Sequence, residues 1–175
     1  MSENGLTRWN TWREIHAQPA LWRDWAALFD AASVRQWIDE HGPEEIWFCG
    51  SGTSAYIGDI IVAGLEGQRG GPRLRAVAAT DLVARPADFL AARKPLVVNF
   101  GRSGNSAETV GTLEALDALA ADAPRLNITC NADSQLASRS RGKDHLIVLP
   151  ADSHDSGFAM TSSFSTLLFT ALMLV

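Results

Sequence analysis

Beyond Gly42-Pro43 the chain alternates between short apolar runs and longer stretches with helical spacing. The runs EEIWFCG, RLRAVAAT, PLVVNF, RLNITC and DHLIVLP are rich in Val, Ile and Leu, as strands covered on both faces are. Between most of them the period lengthens. SAYIGDIIVAGLEG sets Ile57, Ile60, Ile61 and Leu65 on one side, and TVGTLEALDAL repeats its apolar residues at helical spacing. Strands alternating with helices mean crossover connections and a parallel sheet. The pattern therefore predicts a doubly wound α/β domain of five strands. Ligands of such sheets bind beyond the carboxyl ends of the strands, where the strand order reverses.

The residues before Gly42 follow a different rule. Thr11 to His41 reads as helical, and PALWRDWAALFDAASVRQWIDEHG opens with Pro19 and closes with Gly42, the usual helix punctuation. Leu21, Trp25, Leu28 and Phe29 fall on one face, which is expected to pack on the domain or on a second copy of the chain. This divides the chain into a helical segment, 1–42, and an α/β domain, 43–175. The last stretch, FAMTSSFSTLLFTALMLV, predicts a helix opening near Thr161. Its apolar face runs to Val175 with no glycine, basic last turn or proline to stop it. The expectation is a chain cut short, or an end that docks on something else.

Composition narrows the partners. The 175 residues can bury a full core, and 15 Lys and Arg against 20 Asp and Glu leave a net charge of −5 with no basic block. Nucleic acid, whose phosphates call for clustered cations, is not an expected partner. The polar MSENGLTRWN start lacks an apolar signal core, and no apolar run reaches the ~18 residues of a membrane span. A cytoplasmic protein with no membrane partner is expected. Cys49 and Cys130 close predicted strands and read as buried free thiols. They are too few for a zinc site, and no metal or cofactor is expected.

Two glycine-containing loops carry the candidate chemistry. In CGSGTSAY, Gly50, Gly52 and Ala55 fit the G-x-G-x-x-G/A dinucleotide fingerprint between a strand and a helix. Asp81, read as ending the second strand, lies farther on than the ≈ 20 residues at which a ribose-binding acid is expected. The loop is also rich in hydroxyls, Ser51, Thr53 and Ser54. A second such loop, NFGRSGNSAE, follows the third strand with Arg102, Ser103, Asn105 and Ser106. Asn105 is read as the helix N-cap, with Glu108 three residues on as its capping-box partner. Hydroxyls, free N–H groups at a helix start and a guanidinium suit a compact terminal phosphate, whereas a pyrophosphate needs mainly close glycine backbone. A nicotinamide or flavin enzyme stays open as the rival reading.

The two loops, GSGTSAY and GRSGNSAET, resemble the signature loops of sugar isomerase (SIS) domains, which bind phosphosugars. REIHAQP is similar to a segment preceding these domains in the isomerase half of glucosamine-6-phosphate synthase, and GFAMTSSFST resembles that protein's final-helix segment. FGRSGNS, NITCNADSQLA and HDSGFAMTSSF together resemble the tagatose-6-phosphate ketose/aldose isomerase group, also described as galactosamine-6-phosphate deaminase/isomerase. The resemblance implies a flavodoxin-like sheet and a hexose or hexosamine 6-phosphate as partner. It also implies Thr53, Ser54, Ser103 and Ser106 as phosphate contacts. Gly101 and Arg102 stand where the synthase has Ser and Gln, and Met160 stands where it has a sugar-contacting Ser. The family carries two SIS domains in one chain, with catalytic Glu, His and Lys in the second, so the catalytic residues of this reaction are not identified here. A non-catalytic SIS module that senses sugar phosphates is the alternative. Locally, His154-Asp155 is the one acid–base candidate, while Asp59 and Glu66 are read as solvated and His16, His41 and His145 have no partner in sequence. Self-association is expected from the Trp-bearing helices.

Overall fold

The apolar runs become five parallel strands in a computed structural model that describes residues 3–65, 70–90 and 95–175. Glu66 lies outside the described residues. The chain begins with α1 (Glu3–Leu6), α2 (Asn10–Leu28) and α3 (Ala31–His41). It then alternates through β1 (Glu45–Gly50), α4 (Ala55–Gly64), β2 (Arg73–Ala78), α5 (Ala79–Ala84), α6 (Pro86–Leu90) and β3 (Pro95–Gly101). It continues through α7 (Ala107–Leu119), β4 (Arg125–Thr129), α8 (Gln135–Ser138), β5 (His145–Val148) and α9 (Ser162–Leu172). The strand order is β2-β1-β3-β4-β5, all neighbours parallel.

The two-residue alternation of strand side chains sorts the core into two layers. Ile46, Phe48, Val98 and Ile128 face α3, α4 and α9, where Ile38, Ile61 and Leu167 meet them. Trp47, Cys49 and Val97 face the other way, toward Leu82 of α5 and Leu116 of α7. Every residue of β1, β3 and β4 is buried, whereas the edge strands β2 and β5 are half open. Ile60, placed with Ile57 and Ile61 by the sequence pattern, points out of α4 and is 44% exposed. Replacing Ile61, which is fully buried, with Ala is expected to cost about 2–5 kcal/mol, measured by urea unfolding. Ile60→Ala should stay under about 1 kcal/mol.

The helical segment differs from its expectation in three ways. It is two helices, broken at Phe29-Asp30, because the Asp30 carboxylate accepts the Ser33 N–H (3.1 Å) and starts α3 anew. Pro19 sits inside α2 rather than opening it. Leu28 is 78% exposed and leaves the buried face. The rest of the expected stripe packs on the domain, against α9. Trp22 Nε1 donates to Ser165 Oγ (3.2 Å), Trp25 Nε1 donates to Thr170 Oγ1 (2.8 Å), and Trp25 stacks on Phe29. Packing along this length offsets the hydrogen bond that a mid-helix proline forgoes. Gly42 takes the left-handed cap of α3 at φ 48°, as its position predicts. At the far end of α9, the missing basic residue comes from another helix: Arg35 donates to the Met173 carbonyl.

Candidate functional site

The chain order reverses between β1 and β3. After β1 it moves outward to β2, and after β3 it moves outward the other way, to β4. The loops leaving β1 and β3 therefore flank one crevice at the carboxyl edge of the sheet.

The first loop closes through a short turn, Gly52–Ser54, into α4. A Cβ on Gly50 would stand 2.6 Å from the Ser54 carbonyl oxygen, so only glycine lets the loop fold back this tightly. Gly52 adopts φ 53°. Thr53 is exposed, Ser51 half-buried, and Ser54 buried at the head of α4. No side chain caps this helix start and no acid lies in its first turn, which leaves its N–H groups open to an anion.

The second loop is built differently from its expectation. Ser106, not Asn105, caps α7: its Oγ accepts the Thr109 N–H (3.2 Å) and lies 3.0 Å from Thr109 Oγ1. Glu108 is then one residue too early to complete a capping box. The Asn105 amide oxygen instead accepts the Gln135 N–H (2.7 Å), at the start of α8. Two more bonds tie the same loops together, Asn131 Nδ2 to the Ser103 carbonyl (3.1 Å) and the Leu136 N–H to the Gly104 carbonyl (3.0 Å). Ser103 Oγ accepts the Asn105 N–H (3.3 Å). Arg102 is half-buried and forms no ion pair among the described residues.

A third loop, after β5, reaches the same edge. Buried Asp155 accepts from the Thr161, Ser162 and Ser163 N–H groups (3.1, 2.8 and 2.9 Å) and from the Thr161 and Ser163 hydroxyls, capping α9. Burial alone would raise its pKa, but these bonds outweigh it and hold the carboxyl below the ordinary aspartate value. Asp155 is thus committed to structure while His154 is exposed, so the two do not form an acid–base pair. Cys130, at the end of β4, lies near Arg102, Ser153 and Asp155, and burial pushes its thiol up to about 11. Cys49 is pushed up to about 12 by burial. Both thiols are free, buried and inert at neutral pH.

A family model for the SIS domain matches residues 42–175. The chain belongs to the SIS domain family. A curated D-galactosamine-6-phosphate deaminase from a Shewanella species is 34% identical over 99% of this chain and 48% of its own length. Another, from Escherichia coli, is 37% identical over 93% of this chain and 44% of its own length. The crystal structure of tagatose-6-phosphate ketose/aldose isomerase from Escherichia coli superposes with a TM-score of 0.82 at 34% identity, covering 94% of this chain and 46% of that one. This SIS domain spans about half the length of the curated relatives it matches.

Within the SIS domain, Ser51, Thr53, Ser54, Arg102, Ser103, Asn105 and Ser106 all stand on the two crevice loops, but with different tasks. Asn105 braces one loop to another. Asp81, read as the end of a strand, lies instead on the exposed first turn of α5, because β2 stops at Ala78. That leaves the dinucleotide reading without its acid. His16 and His41 bond back to the Trp12 and Trp37 carbonyls (2.7 and 2.8 Å) in their own helices. Sequence reasoning missed Asn131, whose bracing bond crosses 28 residues, and Glu14, whose bonds cross more than 140. A concavity of about 1140 Å³ lies at the other end of the sheet, between Ile46, Leu74 and Leu174, where none of the loop residues reach it. No helix among the described residues is long and apolar enough to cross a membrane.

Proposed function

We propose that this SIS domain is the phosphosugar-binding half of a ketose/aldose isomerase or amino-sugar-6-phosphate deaminase. Its ligand is a hexose or hexosamine 6-phosphate, and its setting is a cytoplasmic homo-oligomer. The reading rests on one observation: two hydroxyl-bearing loops, each opening a helix, flank the crevice where the strand order reverses. Ser103 Oγ accepts a backbone N–H and keeps its own proton for a ligand. Ser106 Oγ keeps its proton likewise when Thr109 Oγ1, 3.0 Å away, is the donor between the two hydroxyls. Arg102 supplies the charge that matches a phosphate, while Ser51, Thr53 and Ser54 meet it from the other side. Transfer between ketose and aldose moves a proton between C2 and C1 through an enediol, and deamination at C2 begins with the same shift. The acid and base for that shift belong, in this reading, to the half of the relatives that this chain does not span.

Thermal unfolding with galactosamine 6-phosphate, inorganic phosphate and NAD tests the reading. A ligand at ~100 times its Kd should stabilise by about 2.7 kcal/mol. That corresponds to a rise in Tm of roughly 5–10 °C for a chain of this size. Stabilisation by NAD with none from the sugar phosphate would sink the reading. Joint Ser103→Ala and Ser106→Ala replacement should weaken sugar-phosphate affinity at least ~10-fold, since bonds to a charged group contribute about 1.5–3 kcal/mol. Unchanged affinity would leave both serines as helix and loop supports only.

A further inference from the structure

The SIS family match begins at residue 42, yet a carboxylate from α2 reaches the carboxyl edge of the sheet. Glu14 Oε1 accepts two successive backbone N–H groups, from Ser156 (2.6 Å) and Gly157 (2.8 Å). Its Oε2 is buried with no hydrogen-bond partner. The fit is close: a Cβ on Gly157 would stand 2.6 Å from that oxygen and 2.8 Å from Thr11 Oγ1. Ser162 Oγ also donates to the Glu14 carbonyl (3.2 Å).

These bonds fix one end of a short bow, 156–161, and Asp155 fixes the other through Thr161. Between the anchors, Phe158 is fully exposed. The bow stands beside the first crevice loop for a topological reason. α4 and α9 share one face of the sheet, with Ile57, Ile61, Leu167 and Ala171 in a single cluster. Both run back from the carboxyl edge, so their N-termini are neighbours. Docking α2 onto α9 does not depend on Glu14, because Gln18, Trp22 and Trp25 already bond to Ser165 and Thr170. Glu14 adds a different thing, an ordered bow, and that order offsets the desolvation of its second oxygen.

We infer that Glu14 is a positioning residue of the phosphosugar site: it holds the 156–161 bow as the wall that meets the sugar beyond its phosphate. The inference rests on the phosphosugar reading above. It makes α2 a working part of the site although the matched domain starts after it.

Calorimetric titration of the 175-residue chain separates the two levels. Glu14→Ala should weaken galactosamine 6-phosphate binding about 10-fold or more, the size of two lost bonds to a carboxylate. Inorganic phosphate, held by the two glycine loops alone, should keep its affinity within about twofold. Glu14→Gln retains the accepting Oε1 and should restore most of the loss. Gly157→Ala should reproduce it, because the new methyl would strike both Glu14 Oε2 and Thr11 Oγ1 and push the bow off its anchor. Wild-type affinity in Glu14→Ala overturns the inference, as does a parallel loss for both ligands. If Glu14→Ala does not fold, Glu14→Asp carries the same comparison, its arm being too short to reach both N–H groups. A wild-type chain that ignores the sugar phosphate defeats the parent reading and this inference with it.

Discussion

Gly104→Ala is expected to lower galactosamine 6-phosphate affinity at least ~10-fold and up to ~100-fold, because it displaces the loop hydroxyls that bond the charged phosphate, each bond contributing about 1.5–3 kcal/mol. Gly104 sits at φ 63°, where a side chain costs about 1–2 kcal/mol through its clash with the following carbonyl. Space forbids it as well. The new methyl would stand 2.5 Å from Ser134 Oγ and 3.1 Å from Leu136 Cβ. Neither neighbour can retreat easily, because Ser134 is fully buried and caps α8 through the Ala137 N–H (3.1 Å), and Leu136 is in the core. The loop must therefore give way, carrying Ser103, Asn105 and Ser106 with it. Gly142→Ala is the matched control. It meets nothing within 4 Å and should change neither binding nor stability by more than about 0.5 kcal/mol. Two titrations decide it, and retention of affinity by Gly104→Ala would show that the second loop does not hold the phosphate.

Asp155→Ala should give the largest loss of stability from a polar substitution. One carboxylate receives three backbone N–H groups and two hydroxyls at the head of α9, and truncation leaves the buried donors among them unpaired. At about 1–3 kcal/mol for each unsatisfied buried group, and with some relaxation, a total of about 3 kcal/mol is expected. Thermal unfolding at neutral pH should show Tm falling by roughly 6–12 °C. The pH dependence has a definite sign. The folded pKa lies below the unfolded one, because the hydrogen bonds outweigh burial. The contribution is therefore fully present above the unfolded value of about 3.9 and disappears as pH falls through the folded value. Wild type should lose stability along that acid limb more steeply than Asp155→Ala does. Equal slopes would mean the cap contributes little. Asp155→Asn, which keeps one acceptor, should fall between the two.

Much of the architecture is legible in local pattern. Central strands carry mostly apolar runs because both faces are covered, and β1, β3, β4 and β5 were placed within two residues of their ends, whereas β2 stops three residues short of Asp81. Helix punctuation was legible at Gly42, which closes α3 through its own backbone geometry, but not at Asp30, which opens α3 inside what reads as one continuous helix. Pro19 misled because a proline's preference for the first turn is weak beside packing along a whole helix.

The loops GSGTSAY and GRSGNSAE stood out in sequence because tight turns restrict residue type so strongly. Sequence alone thus determined the sheet, the two loops and the family to which they belong. Tertiary structure decided the division of labour on those loops. Asn105 looks like a cap, but its amide oxygen accepts the Gln135 N–H while Ser106 Oγ accepts the Thr109 N–H, so Ser106 caps and Asn105 braces. His154-Asp155 looks like an acid–base pair, but the start of α9 claims the carboxylate. Glu14 looks like a surface residue of an exposed helix until α2 folds across α9 and brings it to Ser156 and Gly157. Each of these choices turns on hydrogen-bond partners far away along the chain. A short polar side chain bonds whatever donor folding brings within about 3 Å, and its own neighbours in sequence do not reveal which donor that is.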